Sequence, residues 1–538
     1  MDKLFYNAKV DTRDALGTIA EAVGVSGDKI VFVGTAEDGE KLHPAERIDL
    51  GGAYLLPGFN DSHLHMLNYA FVASAYPMFD KTSIKMLLDD AKIFAEGHNI
   101  SGEKWLFGRG WNHELFTDEK RFLTKQDLDQ ISTDYPVYFI RTCGHVAAAN
   151  SKALERIMAL EKTKQYAQFI DEENGVFLES SVKLAYDVMT PPTQDEVEDL
   201  IQLGARDLNA CGITGIQTDD FLSLPGRDPK TIINAYNNLQ CMGKMNVRVY
   251  EQSAFTKKED MERFLNWGYR TGMGGPYYKI GPLKLLQDGG LGAHTALLRE
   301  PYTDAPNELG LQIHDTETFY AMVKEAHDAG MQIAVHTIGD GALEMLLDAL
   351  KAAQEANPRE DCRHGGVHTQ ITDRGLLERM AKEQVIAYIQ PVFIEDDIGV
   401  CERCVGEERT AGSYAWKTML ELGVHASGGS DAPVMRFNTL ANIQNAVTRQ
   451  KLSGYPEGGW LPDQKLTVDE AIDLFTKNAA YSTFEEDVRG TIEVGKYADM
   501  VALAQDLHEV EPNKIKDVVV LRTVVGGRTV YQSKQSPY

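Results

Sequence analysis

Eight short β-rich runs, separated by longer stretches of helical periodicity, constrain this 538-residue chain more than any other feature. The runs occupy residues 56–65, 212–218, 246–252, 278–287, 331–336, 365–369, 385–390 and 424–428, and helical spacing fills segments such as 315–330 and 341–357 between them. A parallel strand pair needs a crossover of a dozen or more residues, most often a helix, so the alternation predicts a parallel sheet. Eight such units predict an α/β fold, specifically a TIM (β/α)8 barrel. The segment 75–200 follows no βα rhythm and is too long for a loop, which predicts an inserted subdomain. At the ends, residues 23–34 read as two strands around a Ser-Gly-Asp turn, and 517–531 as strands around Gly526-Gly527. Neither end has enough strands for a stable sheet alone, so the two are expected to pair into one small β domain.

Composition narrows the class of partner. With 54 basic against 80 acidic residues the net charge is −26, and no basic block offers a grip on phosphate backbones, which argues against nucleic acid. No run approaches the ~18 apolar residues of a membrane-spanning helix, so no membrane partner is expected. The opening MDKLFYNAKV lacks the apolar core of a secretory signal. Six cysteines in 538 residues are too sparse for a disulfide framework, and with the missing signal they predict a reducing, cytoplasmic setting. Cys401-Glu-Arg-Cys404 is a lone C-x-x-C; a structural zinc site would need a second pair, so it reads as a loop without metal. The acidic cluster Glu395-Asp-Asp397 reads as solvated surface.

The chemistry concentrates at the C-terminal ends of the predicted strands. His63 and His65 end the first, Lys284 lies on the fourth, His336 ends the fifth, His368 lies at the sixth and Asp431 follows the eighth. Barrel active sites are built at that end. Strand residues i and i+2 share a face, so His63 and His65 both aim into the barrel mouth. A lone histidine after a strand more often packs in a core or on a surface. Four histidines and an aspartate at four separate strand ends instead point to a divalent metal, zinc first.

Pro57-Gly-Phe-Asn-Asp-Ser-His-Leu-His65 resembles the signature of the amidohydrolase superfamily, and more narrowly of its YtcJ-like branch, which includes N-substituted formamide deformylases. Lys284-Leu-Leu-Gln-Asp-Gly-Gly-Leu-Gly292, Gln332-Ile-Ala-Val-His-Thr-Ile-Gly-Asp340, Val367-His-Thr-Gln370 and Gly429-Ser-Asp-Ala-Pro433 resemble later motifs of that branch. Gly490-Thr-Ile-Glu-Val-Gly-Lys-Tyr-Ala-Asp499 resembles the strand that returns the chain to the β domain. The resemblance implies a composite β-sandwich domain (1–56 with 485–538), a barrel (57–74 with 201–484) and a lid-like insert (75–200). It departs at Gly290, where serine is common, at Ala293-His294, where Ser-Arg is usual, and at Gly366-Val367, which lacks a glutamate before His368. No metal ligand is lost, but substrate specificity cannot be carried over from a particular relative.

The resemblance also implies roles. Lys284 would be carbamylated and bridge two metals; read without it, Lys284 is a cation that binds substrate or pairs with Asp288. Base deaminases of the superfamily carry H-x-x-E after strand five, whereas this chain has His336-Thr-Ile-Gly339, which disfavours that chemistry. One or two ions would activate water, with Asp431 as a metal ligand and general base. Trp111, His145 and Glu179 of the insert, with Asp288, are the expected substrate contacts. The expected activity is hydrolysis of a small non-peptide amide, an N-acyl or N-formyl amine or a cyclic amide. An esterase or lactonase on the same site, or a non-catalytic binding relative, are the alternatives. Serine chemistry lacks its G-x-S-x-G elbow, and a homodimer is consistent with the family.

Overall fold

The computed structural model of the chain describes residues 1–535. Eight parallel strands form one sheet: Phe59–Leu64, Ile213–Thr218, Arg248–Ala254, Tyr278–Leu286, Ile333–Thr337, Gly365–His368, Ile386–Ile389 and Ala426–Gly428. Each pairs with the next in chain order, and each overlaps one of the eight runs read from the sequence. Ile213–Thr218 and Arg248–Ala254 are buried at every position, as strands covered on both faces must be. The sheet curls until its ends meet. Asp431 N–H donates to His63 O at 2.8 Å, and His65 N–H to Ala432 O at 2.7 Å. Gly429 permits this approach, because a Cβ there would fall 2.6 Å from His63 N. The result is a nearly closed TIM-like barrel.

The crossover helices follow from their spacing. Thr316–Asp328 starts at Asp315, whose side chain accepts from Thr318 N, and buries Phe319, Met322, Val323 and Ala326. Asp340–Ala356 buries Leu343, Leu346, Leu347, Leu350 and Ala353. Both show the three- and four-residue spacing of a single apolar stripe.

Strands from both chain ends share a second sheet. Its seam is Glu46–Pro57, paired parallel with Lys3–Asp11 on one side and antiparallel with Met500–Leu503 on the other. Phe5, Val23 and Leu55 pack with Met500 and Val524 in one core, so each end buries the other's apolar face.

The chain divides into two compact units. One comprises Met1–Met66, Gln202–Asp220 and Tyr236–Tyr538 and contains both sheets just described. The other comprises Leu67–Ile201 and Phe221–Ala235. It is built on a six-stranded sheet that includes Leu106–Trp111, Val137–Arg141 and Val146–Ala149, and one of its cores joins Leu87, Trp111 and Phe139. Cys401 and Cys404 lie not in a loop but, buried, in the helix Val400–Ala411. Among the described residues, no helix is long and apolar enough to cross a membrane.

One buried ion pair ties the barrel to the end sheet. Arg248 opens the third barrel strand and donates to both Asp499 oxygens, at 2.6 and 3.1 Å. Asp499 also accepts from Gly526 N–H at 2.8 Å. Leaving either charge alone in that interior costs about 3–5 kcal/mol. Arg248→Met is therefore expected to lower the unfolding free energy by about that amount in urea titrations, and adding Asp499→Leu should recover part of the loss.

Candidate metal centre

The C-terminal ends of the barrel strands bring His63, His65, His336, His368 and Asp431 together. His63 lies near the end of the first strand and His65 just beyond it, with ring centroids 5.2 Å apart. His368 lies 5.5 Å from His63 and 4.5 Å from His336, centroid to centroid. Asp431 Oδ1 stands 2.8 Å from His65 Nε2 and 3.4 Å from His63 Nε2. Donor atoms of His63, His65 and Asp431 all lie within 4.8 Å of one another, a three-donor group fit for a metal ion.

The other nitrogen of each ring is spoken for. His63 Nδ1 bonds Gln252 Oε1 at 3.0 Å, His336 Nδ1 bonds Asp288 Oδ1 at 2.8 Å, and His368 Nδ1 bonds Gln390 Oε1 at 2.7 Å. His65 Nδ1 bonds Asp219 Oδ1. All four partners present an oxygen, which suits a proton on Nδ1. With Nδ1 engaged, the Nε2 atoms of His63 and His65 turn to Asp431 Oδ1; burial works against the charge on His65, but Asp219 and Asp431 hold it well above the ordinary histidine range. A ring held at one nitrogen is oriented as metal-binding imidazoles are. Asp219, Gln252 and Gln390 were not singled out in the sequence; Asp219 and Gln390 directly follow the second and seventh barrel strands, and Gln252 lies within the third.

Asp288 takes a different part from the one expected. It is fully buried, and besides His336 it accepts from Leu297, Ile338 and Gly339 N–H at 3.1, 3.2 and 2.7 Å. Its carboxylate is thus occupied in fixing His336 and the adjoining turn, not in meeting substrate or Lys284. Lys284 is 1% exposed, and its amine has no hydrogen-bond partner. Burial pushes that amine down to about 8, against the pull of Asp219 and Asp431. A buried nitrogen without a partner is costly, and it marks a place where a further group fits.

Backbone geometry and charge support the same reading. His368 and Asp431 adopt φ of 76° and 57°, in the left-handed region. Aspartate and histidine enter that region more readily than most residues, and non-glycine residues held there cluster at functional sites. Burial and the neighbouring His336 hold His368 well below the ordinary histidine range, keeping it neutral as a ligand must be. Burial would raise Asp431, but hydrogen bonds from His63 and His65 outweigh it and keep the carboxylate ionised.

A cavity of about 240 Å³ adjoins the cluster, lined by His336, His368 and Asp431 with Leu291, Ile338, Gln370, Phe393, Asp397 and Met435. The 395–397 cluster is therefore not simple solvated surface. Burial pushes Asp397 up to about 6, and it accepts the Tyr414 hydroxyl at 2.6 Å. Glu395 accepts from Asn445 Nδ2 and Leu452 N–H at 2.7 and 2.6 Å.

The remaining candidates lie in the other unit. Trp111 is fully enclosed, its Nε1 donating to Phe139 O at 3.1 Å, so its indole is a core element of that unit's sheet and not an exposed ligand contact. His145 and Glu179 form an exposed pair at 2.9 Å.

Comparison with known proteins bears on the chain as a whole. The description of the Amidohydrolase family matches residues 46–531. YtcJ of Bacillus subtilis (strain 168) is 31% identical over 99% of this chain and 100% of its own length. The N-substituted formamide deformylase of Arthrobacter pascens is 25% identical, covering 99% of this chain and 98% of that one. The crystal structure of an uncharacterized metal-dependent hydrolase from Pyrococcus horikoshii OT3 superposes with a TM-score of 0.80 at 25% identity, over 95% of this chain and 99% of that one.

The oriented imidazoles generate a test. Gln390→Leu removes the acceptor of His368 Nδ1–H while preserving bulk. The variant is expected to fold and to bind metal about 10–100-fold more weakly in competition with a chromophoric chelator, whereas Gln390→Glu should retain affinity.

Proposed function

The chain belongs to the amidohydrolase family, and on that premise we propose that it hydrolyses the carbon–nitrogen bond of a small non-peptide amide, an N-acyl or N-formyl amine or a cyclic amide. The observation that carries the proposal is the set of four imidazoles, each held at Nδ1 by an oxygen from another segment of the barrel, gathered with the ionised Asp431 at the barrel mouth. The deformylase relative supports the formyl-amine end of the range. His63, His65, His336, His368 and Asp431 would hold the metal, and nitrogen with carboxylate donors suits zinc. When bound, a divalent ion supplies Lewis-acid activation of water and of the scissile carbonyl.

The chain's own residues supply the rest. Asp431 takes a proton from the attacking water and returns it to the leaving nitrogen, so the amine departs neutral. Such transfer is worth ~10²–10⁴ in rate. Lys284, buried and lowered to about 8, holds a substantial neutral fraction near pH 7.5. A neutral amine adds to CO₂ and releases one proton, giving a carbamate whose oxygens would complete the donor set for a second ion. Leu291, Ile338 and Phe393 give the substrate an apolar wall. We also read residues 1–56 with 485–538 as a β-sandwich domain, and 75–200 as an insertion into the barrel.

Asp431→Asn is expected to fold and keep much of its metal, yet to lose about 10²–10⁴ in kcat on an amide panel; turnover near wild type would overturn its role. Wild-type protein purified under metal-preserving conditions should hold close to two ions per chain. Equilibrated with ¹³CO₂, it should show a carbamate carbon signal that Lys284→Ala lacks. One ion and no carbamate would overturn the assignment of Lys284.

A further inference from the structure

We propose that His294, Asp304 and Cys404 form a second metal site, for zinc or another thiophilic divalent cation, built from residues that take no part in the centre described above. The three come from separate segments. His294 lies in the turn after the fourth barrel strand, Asp304 in the loop that follows it, and Cys404 on the helix Val400–Ala411 beyond the seventh strand. Their donor atoms all lie within 4.8 Å of one another. Tetrahedral zinc with bonds of about 2.0–2.3 Å spaces its ligand atoms roughly 3.3–3.8 Å apart, so side-chain adjustments on the order of 1 Å complete the site.

Each donor is poised for it. His294 Nε2 makes no well-directed hydrogen bond, although Asp304 Oδ1 stands 3.0 Å away. Cys404 is fully buried, and its thiol has a single long contact, to Leu291 O at 3.7 Å. The Arg403 guanidinium engages Asp304 Oδ2, which leaves Oδ1 facing His294. Binding releases the thiol proton of Cys404, and His294 carries its remaining proton on Nδ1. Thiolate and carboxylate then neutralise the divalent charge. One imidazole, one carboxylate and one thiolate make three protein ligands, with a fourth position for water.

The site would fasten the cavity wall. Thr303 N–H already donates to Cys404 O at 2.8 Å, and Arg409 reaches Glu300 O and Pro301 O at 3.0 and 2.8 Å. A metal at His294 and Cys404 would add a direct link between that helix and the turn carrying Gly290, Leu291 and Gly292, which line the cavity.

The centre at the barrel mouth contains no thiol, so cobalt(II) distinguishes the two sites. Full-length protein stripped of metal and titrated with cobalt(II) should develop a thiolate-to-cobalt charge-transfer band in the near ultraviolet. The band should vanish in Cys404→Ser, weaken at least tenfold in apparent affinity in His294→Gln, and persist in Cys362→Ser. His294 is partly exposed, so the glutamine variant tests the site even if Cys404→Ser folds poorly. A wild-type protein without the band, a band that survives Cys404→Ser, or one indifferent to His294→Gln would overturn the proposal.

Discussion

Each of the four imidazoles at the barrel mouth has its Nδ1 held by an oxygen from another segment, and the geometry of the mouth rests on those contacts. An imidazole free to flip would offer the wrong nitrogen much of the time. Here each Nδ1 is anchored by an oxygen from a different part of the barrel, Asp219, Gln252, Asp288 or Gln390. With His63 on the first strand and His65 just beyond it, Lys284 on the fourth, His336 and His368 on the fifth and sixth, and Asp431 after the eighth, all eight strands contribute. A curled parallel sheet makes this possible, because it points every C-terminal strand end at one mouth.

That arrangement carries costs which the surrounding fold absorbs. His368 holds a left-handed backbone, Asp61 keeps a buried carboxyl pushed up to about 7, and Lys284 keeps an amine without a partner. Asp61 repays part of its burial by accepting from His63 N–H and Ser430 N–H at 3.1 and 3.0 Å, which pins the first strand to the eighth where the ligands converge. The strained groups cluster within a few residues of the proposed ligands, as expected where function and not stability chose the side chains.

The sequence made part of this site legible and hid the rest for identifiable reasons. His63 and His65 were readable because a period of two in a strand places i and i+2 on one face. His336 was readable because it ends an apolar run, and His368 and Asp431 because they lie at and just after the sixth and eighth β-rich runs. Gln252 and Gln390 were not, since a glutamine in or after a strand carries no signature until the neighbouring strand brings a histidine against it. Asp288 looked like a partner for the lysine four residues before it, but the turn that follows directs its carboxylate to His336 and three backbone amides. Trp111, read as a substrate contact, is instead enclosed in a core, because burial depends on what packs over a strand and not on the strand's own residues.

The order of strands and helices and the positions of the candidate histidines along them follow from local periodicity, and local periodicity is written in consecutive residues. Which atom of each ligand faces the centre follows from contacts between segments as much as 366 residues apart, such as His65 with Asp431. The same holds for the solitude of the Lys284 amine and for the meeting of His294, Asp304 and Cys404. Those properties arise when strand register and packing bring distant side chains within hydrogen-bond reach, and no window along the chain contains both partners.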